Sequence, residues 1–169
     1  MAIIVSDTSP LHYLALIDET HILPELFGRV IIPQQVFDEL QQPNTPDTVK
    51  AFATSLPAWL EVRSIQMPID SSLFHLDKGE QEAITLAIEI QADALLIDET
   101  KGRRAAKLHG LRVVGVLGVL LDASLAGLCE LETAFDKLRQ TNFRASESLY
   151  QQFIELYQQD DQKGKNENA

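Results

Sequence analysis

Cysteine is nearly absent: Cys129 is the only one among 169 residues, so no intramolecular disulfide can form and a reducing compartment is expected. The four histidines, His12, His21, His75 and His109, show no Cys/His spacing of the zinc type. No apolar run approaches the length of a membrane span, and the N-terminus lacks the basic segment and apolar core of a signal peptide. A soluble cytoplasmic protein without membrane contact is expected. Basic residues are scarce as well: 14 Lys and Arg stand against 25 Asp and Glu, for a formal net charge of −11. A module that grips nucleic acid through its phosphates normally carries a basic surface, so this balance argues against a generic DNA-binding domain. It suits a protein whose carboxylates gather divalent cations.

With 45% hydrophobic residues, the chain is long enough for one core and too short for two ordinary domains. Short apolar runs at 2–6, 29–32, 60–65, 94–97 and 111–114 read as strands. Helical periodicity covers 10–17, 21–27, 34–42, 46–55, 79–91, 100–109, 116–126, 131–140 and 146–158. This alternation predicts an α/β fold: a mostly parallel central sheet of about five strands, with helices on both faces. Pro43, Pro46, Pro57 and Pro68 mark loops around a helical insertion. One domain is expected over 1–158. The polar stretch 159–169 is expected to be a disordered tail, because it offers too little apolar surface to order itself.

Asp7 follows the apolar run Ile3-Ile4-Val5 and precedes Ser9-Pro10, which reads as N-cap and first helical residue. Ligands of open parallel sheets bind beyond the carboxyl ends of the strands, so Asp7 is placed to face a cleft. Ala94-Leu95-Leu96-Ile97-Asp98 repeats the pattern. Two parallel strands that both end in Asp bring their carboxylates to one sheet edge, although Asp98 could instead cap the next helix. In the helix 79–91, Glu80 shares a face with Ile84, Ala87 and Ile88, whereas Glu82 lines up with Leu86 and Glu89. An acid on an apolar stripe is costly unless it is paired or binds metal; a first-turn Glu is also favoured by the helix dipole. Val36, Phe37 and Leu40 define another buried stripe, flanked by Glu39, with Asp38 nearly opposite. Glu39 is the better inward acid of the two, or else an ordinary solvated helix residue.

Such carboxylates at one sheet edge would repel one another unless a cation neutralised them. The fitting occupant is Mg²⁺, as one or two ions able to activate a water and stabilise a phosphodiester under attack. Ser9 could hold a metal-bound water or a phosphate oxygen, or simply cap its helix. Behind Asp98 lies the densest basic cluster of the chain. Lys101 and Lys107 read as a solvated face, while Arg103 and Arg104, within about a turn of Asp98, could clamp substrate phosphates.

The motifs Ile4-Val5-Ser6-Asp7-Thr8-Ser9, Val36-Phe37-Asp38-Glu39-Leu40, Gly79-Glu80-Gln81-Glu82-Ala83-Ile84, Leu95-Leu96-Ile97-Asp98-Glu99-Thr100-Lys101-Gly102-Arg103 and Val114-Gly115-Val116-Leu117-Gly118 follow one another across roughly residues 3–127. In this order and separation they resemble the PIN-domain nucleases, in particular a DUF3368-like subgroup similar to the VapC toxins of type II toxin–antitoxin systems. The resemblance implies a PIN-like three-layer α/β/α fold and an endoribonuclease dependent on Mg²⁺ or Mn²⁺. Carried over residue by residue, its acidic quartet falls on Asp7, Glu39, Glu80 and Asp98, with Asp7, Glu80 and Asp98 as metal ligands. Ser9 becomes the hydroxyl of the first motif, beside Arg103 and Arg104 as substrate-binding residues. Many relatives carry Asp where this chain has Glu80, and Glu82 and Glu99 stand as alternative acids. The resemblance also implies an RNA substrate, a cognate antitoxin and a homodimer.

Rival readings lose a key residue. A phosphatase of the haloacid-dehalogenase type needs a second Asp two positions after the first, where Ser9 stands. A receiver domain needs Lys after a late strand, where Gly115 stands, and the Gly115–Gly118 stretch lacks the Lys and spacing of a P-loop. A catalytically weak or inactive PIN-like interaction module is disfavoured by the intact set of acids, and the unusual Glu80 keeps it as the alternative.

Overall fold

Five short strands form one parallel sheet in the computed structural model, which describes residues 2–168. They are β1 (Ile3–Ser6), β2 (Arg29–Pro33), β3 (Leu60–Arg63), β4 (Ala94–Leu96) and β5 (Val113–Val114), in the order β3-β2-β1-β4-β5. The chain first steps outward from β1 through β2 to β3, then returns across the sheet to β4 and β5. The order therefore reverses between β1 and β4, and a crevice opens at the carboxyl ends of these two strands. Ser6 lies opposite Leu96 in the register, and the Asp7 N–H donates to the Leu96 carbonyl at 2.9 Å. Asp7 and Asp98 thus leave neighbouring strands within a residue of the same level.

Helices α1 (Thr8–Leu16) and α2 (Ile22–Phe27) connect β1 to β2, and α3 (Gln34–Glu39) and α4 (Asp47–Thr54) connect β2 to β3. A 3₁₀ turn (Ser71–Leu73) and α5 (Lys78–Glu89) lead to β4, and α6 (Thr100–Leu108) leads to β5. Right-handed crossovers assign α1–α4 to one face of the sheet and α5 and α6, which go with the return direction, to the other. The core agrees: Val5, Ile31 and Leu95 pack with Ala83, Ile84 and Ala87 of α5 and with Ala105 and Ala106 of α6. The alternate strand residues Ile4, Val30 and Ile32 are buried on the opposite face. This is the expected α/β/α arrangement, and every strand pair in it is parallel.

Two expectations need adjusting. Ser9 is not the cap of the first helix: Asp7 is the N-cap residue, with extended backbone, and Ser9 and Pro10 already lie inside α1. Compact units run over Met1–Val116 and Leu117–Ala169. The helices after β5 add no strand to the sheet: α7 (Val116–Leu125), α8 (Leu131–Arg139) and α9 (Glu147–Glu167), which from Leu117 onward make up the second unit. In this unit Phe135 meets Tyr150 edge to face at 5.1 Å, and the Arg139 guanidinium lies 4.4 Å from the Tyr150 ring centre. Finally, α9 continues through residues 159–167, which the sequence assigns to a disordered tail. Once Tyr150 and Ile154 anchor the helix, its nucleation cost is already met, and polar residues such as Asp161 and Lys165, paired at 2.8 Å, can propagate it. No helix among the described residues is long and apolar enough to cross a membrane.

Candidate active site

Three of the four candidate acids, Asp7, Glu39 and Glu80, lie near enough beyond β1 to feel one another's charge. Asp7 is only 5% exposed. Burial is the main force pushing its carboxyl pKa well above the ordinary value; the Thr8 N–H offsets part of this, and the negative charges of Asp77, Glu80 and Glu39 add to it. Glu80, also 5% exposed, enters from the first turn of α5. It forms a capping box with Asp77: the Glu80 N–H donates to the Asp77 carboxylate at 2.8 Å, and the Asp77 N–H donates to the Glu80 carboxylate at 3.2 Å. Burial, followed by Asp77, raises the Glu80 pKa to about 7 against the pull of the Asp77 N–H, with Glu99 and Glu39 contributing further. The apolar stripe and the helix-start role therefore hold together for this one residue.

Glu39 closes the group from the end of α3. Its carboxylate accepts from the Thr8 hydroxyl and from Gln35 Nε2 at 3.4 Å. It also lies against the backbone of Gly79, where a Cβ would stand only 2.8 Å from Glu39 Oε1. Any side chain at position 79 would displace the acid. Asp38 is exposed and accepts from Gln34, while Glu82 turns to the start of α3, facing the Gln35 N–H at 3.5 Å. Neither is among the charges acting on Asp7.

Asp98 is placed differently. One carboxylate oxygen accepts from the Val116 N–H at 2.9 Å, at the start of α7, and the other is buried without a hydrogen-bond partner. Burial raises its pKa to about 6, while Val116 and the Arg103 guanidinium lower it. Arg103 donates from Nη1 to the Ile97 carbonyl at 2.9 Å. Gly115 completes this nest, since a Cβ there would stand 2.7 Å from Asp98 Oδ1 and 3.2 Å from Arg103 Nη1. Arg103 is thus partly engaged in holding the end of β4, whereas Arg104 is exposed. Ser9, half-buried in the first turn of α1, has no side-chain hydrogen bond among the described residues.

The sequence reading missed Asp77, Thr8 and Gly79. A signal existed for the first, because Asp77-Lys78-Gly79-Glu80 has the spacing of a capping box. Thr8 and Gly79 become meaningful only once α3 is known to lie against α1 and α5.

Among the described residues, no three His, Cys, Asp or Glu side chains are grouped closely enough to hold one ion as they stand. The donor set still fits a hard divalent cation in kind. It consists of carboxylate oxygens, it crowds negative charge around a buried Asp7, and it leaves a buried Asp98 oxygen unpartnered.

No curated protein matches the chain. A solved structure of a PilT N-terminus domain protein from the archaeon Sulfolobus solfataricus P2 is similar at 13% identity and a TM-score of 0.48, covering 86% of this chain and all of that one. The DUF3368 family model, described as a PIN domain, matches residues 3–159. PIN domains are generally nucleases that act on nucleic acid with divalent metal ions, and it is to this DUF3368 family of PIN domains that the chain belongs.

Proposed function

We propose that this protein is a metal-dependent endoribonuclease of the cytoplasm and the toxin of a toxin–antitoxin pair. One observation carries the reading: Asp7, at the end of the central strand, is buried among Asp77, Glu80 and Glu39, and no cationic side chain is among the groups acting on it. Bound Mg²⁺ or Mn²⁺, as one or two ions, supplies the missing positive charge, a water of lowered pKa and stabilisation of a phosphodiester under attack. Asp7, Glu80 and Asp98 would hold the metal. Glu39, fixed by Thr8 and Gln35 against Gly79, adds charge and orients the group. Arg103 keeps N–H groups beyond the one on Ile97, and these together with Arg104 can hold substrate phosphate next to Asp98. Ser9 offers a hydroxyl two residues after Asp7. The choice of RNA, the cognate antitoxin and a homodimer rest on the family resemblance; a basic antitoxin segment would suit the unneutralised acids.

Purified protein, freed of any partner, is expected to cleave mixed RNA in Mg²⁺ or Mn²⁺ and to stop in chelator. Asp7→Asn should lower the rate on the order of 10³-fold, the scale of losing a charge-stabilising group. Folded protein that cleaves no RNA would overturn the reading in favour of an interaction module. Phosphate release from small phosphoesters would overturn it in favour of a phosphatase.

A further inference from the structure

Four of the chain's 14 Lys and Arg residues, Lys101, Arg103, Arg104 and Lys107, lie on α6. Lys101, Arg104 and Lys107 pair with no carboxylate among the described residues, although acids outnumber bases in the chain. Thr100, Arg103, Arg104, Lys107 and Leu108 recur at steps of three and four residues and together line a cleft of about 390 Å³. The same helix borders the acids. A Cβ on Gly102 would stand 3.5 Å from the Glu80 carboxyl carbon, and Arg103 flanks Asp98. Lys107 lies a further turn along, about 5.4 Å down the helix axis, and Leu108 ends the stripe with 82% of its surface exposed.

These features fit a polyanion that runs lengthwise along the helix. Guanidinium and ammonium groups one turn apart can take successive phosphates of one strand. The acidic remainder of the surface repels the same strand, so the stripe also guides it. An exposed leucine alone means little. At the end of a cationic stripe, in the same cleft, it offers apolar contact to the face of an unstacked base. Single strands present such faces, whereas in duplexes they are stacked inside. We propose that α6 is a track for single-stranded RNA, with Lys107 on the phosphate following the one held at Arg103 and Arg104, and Leu108 against a base. The proposal rests on the nuclease reading for the destination of the strand. Lys107 then has a role where the sequence suggests only a solvated face.

The test is equilibrium binding by the full chain in chelator, where no cleavage is needed, using a fluorescent oligouridylate of about ten nucleotides and an RNA duplex of equal length. The single strand should bind more tightly. Lys107→Ala should weaken it about five- to tenfold and reduce the slope of log affinity against log salt by roughly 0.7, the share of one phosphate contact on a single strand. Leu108→Ala should weaken the single strand and leave duplex binding unchanged. Lys163→Ala, on α9, controls for overall charge, and circular dichroism verifies folding. Unchanged affinity and salt slope in Lys107→Ala, or preference for the duplex, overturns the track even if the wild type cleaves RNA. An acidic peptide held by these residues, with no affinity for RNA, overturns it too. If the α6 variants lose RNA binding and no RNA is ever cleaved, the track stands and the nuclease reading falls.

Discussion

Asp7 at the end of β1 and Asp98 at the end of β4 occupy matching places in the sheet and have opposite company. Asp7 has Asp77, Glu80 and Glu39 around it, and their charges add to the effect of burial. Asp98 has the Val116 N–H and the Arg103 guanidinium, which work against burial. A strand-end carboxylate can therefore be balanced by the protein itself, through a helix start and an arginine, or left for something else to balance. The second condition is costly for the chain alone, and it is the one that suits the proposed cation.

The contrast can be broken most directly at its balanced end. Arg103→Ala should lower the stability of the metal-free chain by about 1–3 kcal/mol, because a buried carboxylate loses its cation. Urea unfolding measures this. Arg103→Lys should restore only part, since an ammonium lacks the guanidinium fork that reaches both Ile97 and the Asp98 side. No loss in Arg103→Ala would mean that the two strand ends are not electrostatically distinct.

A smaller effect is expected at the crowded end, and it depends on pH. Glu80, with a folded-state pKa of about 7 against an ordinary 4.5, holds a proton in the folded chain that the unfolded chain has already released, and Asp7 shifts in the same direction. The stability that these groups confer is complete below the ordinary carboxylate range and is lost as the pH rises through about 7. In chelator, the Tm should therefore be higher near about pH 5 than near about pH 8. Mg²⁺ should recover the difference at the higher pH, and Asp7→Asn should flatten the profile. A Tm in chelator that rises between these two pH values would contradict the crowding of Asp7.

The finest separation uses Asp77. Asparagine caps helices as well as aspartate does, so Asp77→Asn should change stability by no more than about 0.5 kcal/mol. It removes a charge beside Glu80, whose pKa should fall, as followed by carboxyl-carbon NMR. An unchanged Glu80 pKa would show that burial alone sets it.

Much of this layout was legible in the sequence for a physical reason: strand-then-Asp and an acid on an apolar helical stripe are local patterns, and both survive folding. Glu80 does share a buried face with Ile84 and Ala87, and Asp38 is exposed while Glu39 is drawn inward. Relations between distant segments were not legible. Thr8 meets Glu39 across 31 positions and Gly79 makes room for the same carboxylate, and neither contact leaves a periodic trace. Ser9 misled because its type suits a cap, whereas the backbone of Asp7 already serves as one. The length of α9 was hidden because composition reports what a segment can bury, not what a packed helix can extend.

The capping box has a consequence for which residues position 80 tolerates. The carboxylate of Glu80 must span back to the Asp77 amide while remaining within reach of Asp7. Aspartate, one methylene shorter, would serve a cation but leave that amide unanswered and loosen the first turn of α5. In this chain the helix start and the negative charge beside Asp7 depend on one and the same side-chain length.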